Sequence, residues 1–549
     1  MQGLMMDAPL LVSSVLEHAA RVHAATEIVA RTPEGGMHRT TYAEADARAK
    51  RLAKALAALG VQPGDRIGSL AWNTHHHFEL FYGVSGSGAV LHTINPRLFD
   101  EQLVYIANHA EDSWICIDAA TLVIAERIAP QLRTVKGWIY MTVEAALPQS
   151  PLKLLSYEAL IAAQDPDYQW PQFDERQASV ICYTSGTTGP PKGVVNSHRS
   201  TLLSALLMST ADMIGGYRSG MREVVMPIAP MFHGNGWQMV YTAPLNGHKL
   251  VLPGRHFEAE KLYEVMAQEQ VTVGACVPTV WLTLVDHLER NGLTLPALRA
   301  ALVAGTKAPR ALIEALQQRG VDVAQCWGMT EALGITKCSL PPGLEDAPAE
   351  QRLEQKMRQG RVAFTAQLRI VDDEGQELPR DGVAYGNLEA RGPTVTAAYL
   401  KQPASLSADG WLQTGDVAKL FPDGTVEIVD RSKDVIKSGG EWIASAQVEN
   451  AAMGHPAVAQ AAVIGIAHPR WQERPLLVVV PKQGQQVTAA ELIDFLRPHM
   501  ASWWLPDDVV FVDALPMTAT GKIHKVTLRE LFRDFVSPRT AEQKHVSHG

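Results

Sequence analysis

Cysteine is scarce in this chain, and its few copies are scattered. Cys116, Cys182, Cys276, Cys326 and Cys338 are odd in number and form neither a Cys-x-x-Cys pair nor a dense framework, which argues against a disulfide scaffold and suits a reducing compartment. Long uncharged apolar stretches are missing too, and the start, Met1-Gln2-Gly3-Leu4-Met5-Met6-Asp7, has no basic region followed by an apolar core. A cytoplasmic protein without a transmembrane segment is therefore expected. Positive charge is not in excess: the net charge is −9 with 19% charged residues, so no nucleic-acid partner is implied. Internal repeats, low-complexity tracts, kinase signatures and a Walker loop are likewise absent, which weighs against the commonest ATP-hydrolysing and phosphoryl-transfer classes.

What is present is a chain of 549 residues, more than one hydrophobic core normally serves, in which helix and strand signals alternate as in an α/β protein. Thr41 with Glu44 makes a capping-box pattern ahead of Leu52, Leu56 and Leu59, and Gly60 ends that helix. Pro63-Gly64-Asp65 then turns into a strand from Arg66 to Ala71. His75, His76 and His77 follow; consecutive helical residues point about 100° apart, so a solvated helix start is expected there rather than a metal site.

Chemistry concentrates in Tyr183-Thr184-Ser185-Gly186-Thr187-Thr188-Gly189-Pro190-Pro191-Lys192-Gly193. The apolar run Ala178–Tyr183 reads as a buried strand that delivers this loop. Its glycines permit close backbone approach, the hydroxyls of Thr184, Ser185, Thr187 and Thr188 can donate to phosphate oxygens, and Lys192 adds a mobile charge, a combination suited to a polyphosphate. Further strand ends carry turn chemistry: Met231-Phe232-His233-Gly234-Asn235-Gly236-Trp237, Val277-Pro278-Thr279, Gly305-Thr306-Lys307 and Trp327-Gly328-Met329-Thr330-Glu331. Ligands gather at such ends in parallel sheets. Later, Gly415-Asp416 places an acid after a glycine, and Asp430-Arg431-Ser432-Lys433-Asp434 is a charge run of the kind common on solvated faces. Ser438-Gly439-Gly440 interrupts an apolar stretch beyond it. A domain boundary is expected there, dividing residues 1–431 from a small α+β domain over 432–549, which ends on a Gly/Thr turn presenting Lys522.

Taken in order, the loop at Thr184, Thr330-Glu331, Asp416, Arg431 and Lys522 resemble the successive signature motifs of the adenylate-forming superfamily, over nearly the whole chain. Ser179 to Gly193, Pro230 to His233, Val277 to Trp281 and Trp503-Trp504-Leu505-Pro506 are most similar to fatty acyl-CoA synthetases of the short-, medium- and long-chain groups, including methylmercaptopropionate-CoA ligases. That resemblance implies a large layered α/β AMP-binding domain followed by a mobile α+β domain. It implies a ligase reaction in which a carboxylic acid and ATP give acyl-AMP and pyrophosphate, and CoA then takes the acyl group. By the same resemblance Thr184, Ser185, Gly186, Thr187, Thr188 and Lys192 hold phosphates, Trp327 stacks on adenine, Thr330 touches the α-phosphate and Glu331 ligates Mg²⁺. Asp416, with Arg431 alongside, takes the ribose, Lys522 serves adenylation, and Lys433 is the hinge. His233, Trp237, Val277 and Gly305 border the acyl pocket, and Ser438, Gly439 and Gly440 form a CoA face. Relatives are often dimers, so a homodimer is implied as well. A short to medium aliphatic or thioether acid is the expected substrate. The alternative is transfer to a carrier protein or an amine; the chain stops at Gly549 without a carrier-like domain, so CoA is favoured. Departures from the pattern are Lys307 in a run where small residues are commoner, Cys326-Trp327 where Gly-Tyr is frequent, Phe364 to Gln367 without a Pro-Gly turn, and Gln447 where Glu is common.

Overall fold

The structure, a computed structural model, describes residues 1, 3–143, 146–184, 190–210, 222–337, 340–341, 343–439, 441–518 and 522–535. Its described strands form three sheets. In the first, Leu154–Ser156, Trp138–Met141, Asp112–Asp118, Arg66–Leu70, Val90–Ile94 and Ala178–Tyr183 run parallel, and Gly193–Ser197 closes one edge antiparallel. Val90–Ile94 and Asp112–Asp118 are buried along their whole length, as strands covered on both faces must be.

The second sheet has Met37–Thr41 antiparallel at its edge, followed by parallel Glu27–Arg31, Lys249–Leu252, Val224–Pro227, Val273–Cys276, Ala300–Val303 and Asp322–Met329. From Asp322–Met329 it continues antiparallel through Ala332–Lys337, Gly360–Val362, Thr425–Arg431, Leu412–Leu420, Tyr385–Arg391 and Gln367–Val371, around a separate core that includes Ile335, Ile370, Leu388 and Val426. Helices Tyr42–Ala58 and His75–Gly86 lie between the two sheets and share one core with both, from Ile67 and Val180 to Leu250 and Val273. The capping box of Thr41 and Glu44 is formed.

That sandwiching corrects the expectation for the three histidines. Every residue of His75–Gly86 is buried, because Phe78, Leu80, Phe81, Tyr82 and Val84 make the helix apolar all round. His75 and His76 tilt toward one another, with ring centroids 3.8 Å apart, and one ligand atom of each comes within 4.8 Å of the Glu158 carboxylate. Consecutive residues do converge here. The Glu158 carboxylate is already taken by Arg48, at 2.6 and 3.0 Å, and by His76 Nε2, at 2.8 Å. His75 stacks flat on His38 at 3.7 Å, so their lone pairs run side by side rather than toward a common ion. The cluster is a packed polar layer.

The third sheet holds Glu441–Ile443, Ile436–Ser438, Gln472–Pro481 and Val458–His468, with Asp508–Phe511 parallel to Gln472–Pro481. Helices Ser445–Ala452 and Ala489–Leu496 cover one face and Lys525–Leu531 the other. The charge run between the second and third sheets departs from a solvated face: the carboxylates of Asp430 and Asp434 are buried and partnered, the latter with Arg529 at 2.6 Å.

Candidate active site

The loops that leave the carboxyl ends of Ala178–Tyr183, Val224–Pro227, Val273–Cys276, Ala300–Val303 and Asp322–Met329 converge on a cavity of about 880 Å³, which the small domain closes from the other side. This is where a parallel sheet leaves strand-end backbone free to meet a ligand. At the mouth of the phosphate-type loop, the Thr184 amide donates to the Lys192 carbonyl (2.9 Å) and the Lys192 amide to Thr184 Oγ1 (3.3 Å), pinching the loop at its base. Ser185, Gly186, Thr187 and Thr188 lie outside the described residues. Lys192 Nζ stands 4.7 Å from the Tyr399 ring centroid, and the Tyr399 hydroxyl donates to Glu331 Oε1 (2.8 Å). Glu331 makes no ion pair among the described residues, so an acid lining the cavity is left without a cation.

Across the cavity, the Asp416 carboxylate is buried and held from two sides: Trp327 Nε1 donates to Oδ2 at 2.9 Å, and Arg431 Nε pairs with Oδ1 at 2.9 Å. Strand pairing explains the second contact, since Asp416 and Arg431 are direct partners on neighbouring antiparallel strands. Burial nevertheless pushes the Asp416 carboxyl up from its ordinary value, with Arg431 and Trp327 opposing. The aromatic, the acid and the arginine thus form one rigid unit beside Thr330.

Lys522 reaches the cavity from the small domain. Gly305, at φ +91°, makes room for it: a Cβ there would stand 3.0 Å from Val277 Cγ1 and 3.3 Å from Lys522 Cε. Burial, and secondarily Arg431, lowers the Lys522 pKa to about 8, against the opposing pull of Asp416 and Glu331. Burial, and then the nearby Lys522 charge, lowers His233 to about 4, so its imidazole is neutral at physiological pH and offers hydrogen bonds without charge.

Trp237 and Val277 line the same cavity, and so do the apolar side chains of Met239, Ile228 and Cys276. Past His233 the chain takes a left-handed turn, with φ +52° at Gly234, +57° at Gly236, +52° at Trp237 and +65° at Gln238. The non-glycine pair carries strain of roughly 1 to 2 kcal/mol per residue. Lys307 is a wall residue whose ammonium donates to Glu427 Oε1 (2.6 Å).

Not every expected residue joins this site. Ser438 and Gly439 sit on the small sheet outside the cavity lining, where Ser438 Oγ accepts from Arg474 (3.1 Å) and Gly439 packs on Trp471; Gly440 lies outside the described residues. Lys433 does line the cavity. Sequence reasoning missed Tyr399 and also Arg97, whose guanidinium lies 5.1 Å from the Trp72 ring and 5.0 Å from the Phe257 ring at the cavity edge. A lone tyrosine carries no periodic signal. The Asn-Pro-Arg turn at the end of Val90–Ile94 was the available hint for Arg97.

Two family models match the chain, "AMP-binding enzyme" over residues 16–400 and "AMP-binding enzyme C-terminal domain" over 447–522. The chain is 47% identical over 539 residues to a 3-methylmercaptopropionyl-CoA ligase of Ruegeria lacuscaerulensis, covering 97% of this chain and 99% of that one. It is 41% identical over 540 residues to a medium-chain-fatty-acid–CoA ligase of Ectopseudomonas oleovorans, covering 98% of each. Among solved structures, an anthranilate CoA ligase in complex with anthranoyl-AMP superposes with a TM-score of 0.84 at 26% identity, covering 96% of this chain and 98% of that one.

Proposed function

The chain belongs to the AMP-binding enzyme family and is an ATP-dependent acyl-CoA ligase, and from that premise we propose that its acid is a short to medium unbranched aliphatic or thioether carboxylate. One observation carries the reading: the cavity lined by Trp327, Asp416, Arg431 and Lys522 is also lined by Trp237, Met239, Ile228, Val277 and Cys276, an apolar set suited to an uncharged tail. The names of the relatives, methylmercaptopropionyl and medium-chain, agree with that chemistry.

In this reading Asp416 accepts hydrogen bonds from both ribose hydroxyls and Trp327 packs against adenine. Thr184, Lys192 and Thr330 bind the phosphates together with Ser185, Gly186, Thr187 and Thr188. Lys522 steadies the carboxylate and the α-phosphate as they approach, where charge accumulates. Neutral His233 orients the acid. Glu331, a carboxylate that lines the cavity and makes no ion pair among the described residues, fits a hard cation and would hold Mg²⁺, which when bound offsets phosphate charge. Residues 1–431 form the large domain and 432–549 a small one that turns about Lys433, withdrawing Lys522 and bringing Ser438, Gly439 and Gly440 to the site for CoA. A cytoplasmic location and a homodimer accompany the proposal, to be checked by cell fractionation and light scattering.

Pyrophosphate release across a panel of carboxylic acids, with CoA, a carrier protein or an amine as acceptor, tests the reading. Each methylene buried should add up to about 0.8 kcal/mol of specificity until the pocket ends, so kcat/KM should climb with chain length and then drop. Trp237→Ala should move the drop to longer acids. A preference for aromatic or dicarboxylic acids, or an unmoved profile in that variant, would reject the pocket while leaving the ligase reaction intact.

A further inference from the structure

A line of buried polar contacts, whose members Asp430, Glu449 and Lys525 also line the cavity but have been given no part in its chemistry, crosses from the large domain to the small one. Asp430 belongs to Thr425–Arg431, the large sheet's last strand in sequence; Ser445 opens the helix Ser445–Ala452; Lys525 opens Lys525–Leu531, three residues after Lys522. The Ser445 hydroxyl donates to Asp430 Oδ2 at 2.6 Å and accepts from Lys525 Nζ at 2.7 Å. Lys525 Nζ also pairs with Glu449 Oε1 at 2.6 Å, and that oxygen accepts the Val463 amide of the small sheet at 2.7 Å. At the other end, Asp430 Oδ1 accepts the Arg431 amide at 2.8 Å, which ties the acid to its own strand. Asp430 is 4% exposed and Ser445 fully buried.

Each link has a physical reason to favour this closed arrangement. The Asp430 carboxylate faces the amino terminus of Ser445–Ala452, where it also meets the Ala446 amide at 3.4 Å, and an anion is favoured at that end of a helix. Burial opposes the Lys525 charge, but Glu449, Asp430 and Asp434 hold its pKa above the ordinary value. Turning the small domain about Lys433 leaves Asp430 behind and carries Ser445, Glu449 and Lys525 away, so the Ser445–Asp430 link must break, and buried charges that lose partners are costly. We propose that Asp430, Ser445 and Lys525 form an interdomain catch that seats Lys522 in the cavity for adenylation and has to open before CoA reacts. These are positioning residues. The inference rests on the roles given above to Lys522 and to rotation about Lys433.

Separate half-reactions test it: pyrophosphate release without CoA, and thioester formation from supplied acyl-adenylate and CoA. Ser445→Ala should lower the first roughly tenfold to a hundredfold, the loss of one hydrogen bond to a charged group, and leave the second unchanged or faster. Ser445→Thr, which keeps the hydroxyl, should restore adenylation. Asp430→Asn, which keeps the shape and removes the charge, should show the same split and serves if the alanine variant folds poorly. Equal losses in both steps, or unimpaired adenylation in Ser445→Ala and Asp430→Asn alike, would overturn the catch. Lys522→Ala, run beside them, separates two failures: if it loses adenylation while the catch variants do not, the catch alone is wrong. If it adenylates normally, the reading of Lys522 falls and the catch falls with it.

Discussion

Lys522→Ala should abolish acyl-adenylate formation, by a factor of about 10² to 10³ or more, while supplied acyl-adenylate and CoA are still converted to thioester. The range is that of removing one preorganised group aimed at developing charge. Lys522 extends over Gly305 within electrostatic reach of His233, Glu331 and Asp416, and the neutral imidazole of His233 cannot replace its charge. Titration supplies a second readout. With a pKa near 8, the amine is charged below that pH and loses its proton above it, so kcat/KM for ATP should decline about tenfold per unit well above pH 8. Bound phosphates favour the charged form, so the matching fall in kcat should lie at higher pH. Equal damage to both half-reactions in the alanine variant would contradict the assignment of Lys522 to adenylation alone.

Asp416→Ala should raise the KM for ATP by roughly 10² to 10⁴. Two hydrogen bonds from ribose hydroxyls to one carboxylate, at about 1.5 to 3 kcal/mol each, give that span. The structure adds a further cost, because Trp327 Nε1 and Arg431 lose their shared acceptor and the aromatic platform loses the bond that sets its tilt. Asp416→Asn should therefore recover part of the loss by restoring an acceptor for Trp327. Calorimetric titration with ATP in the absence of acid measures the effect directly, and unchanged affinity would remove Asp416 from the nucleotide site.

Much of this architecture was legible in the sequence where local chemistry is dense. Ala178–Tyr183 reads as a buried strand, and it is one. Thr41 with Glu44 announces its helix, and the capping box is formed. The misses share a physical cause, long-range burial. His75–Gly86 looks like a wet helix start when its polar residues are read alone, and only the second sheet, which brings Leu250 and Val273 against that core, makes it interior. The acids of the 430–434 run look solvated until Ser445 and Arg529, 15 and 95 residues further on, arrive to cover them. Handedness at Trp237 was equally hidden, because nothing in Gly-Asn-Gly-Trp-Gln forces positive φ on its two non-glycine residues at the end; the surrounding fold imposes it.

Gly305 has a consequence for how this enzyme can change its substrate range. Its missing side chain at once borders Val277 and admits the Lys522 stem. Any residue placed there to shorten the acyl pocket would obstruct the lysine and would have to adopt φ +91° as well. Selectivity and turnover are thus wired to one position and cannot be tuned separately through it. Evolutionary drift in chain-length preference is left to other lining positions such as Trp237, so diversification among descendants of this chain should be written in the left-handed turn and not in the glycine.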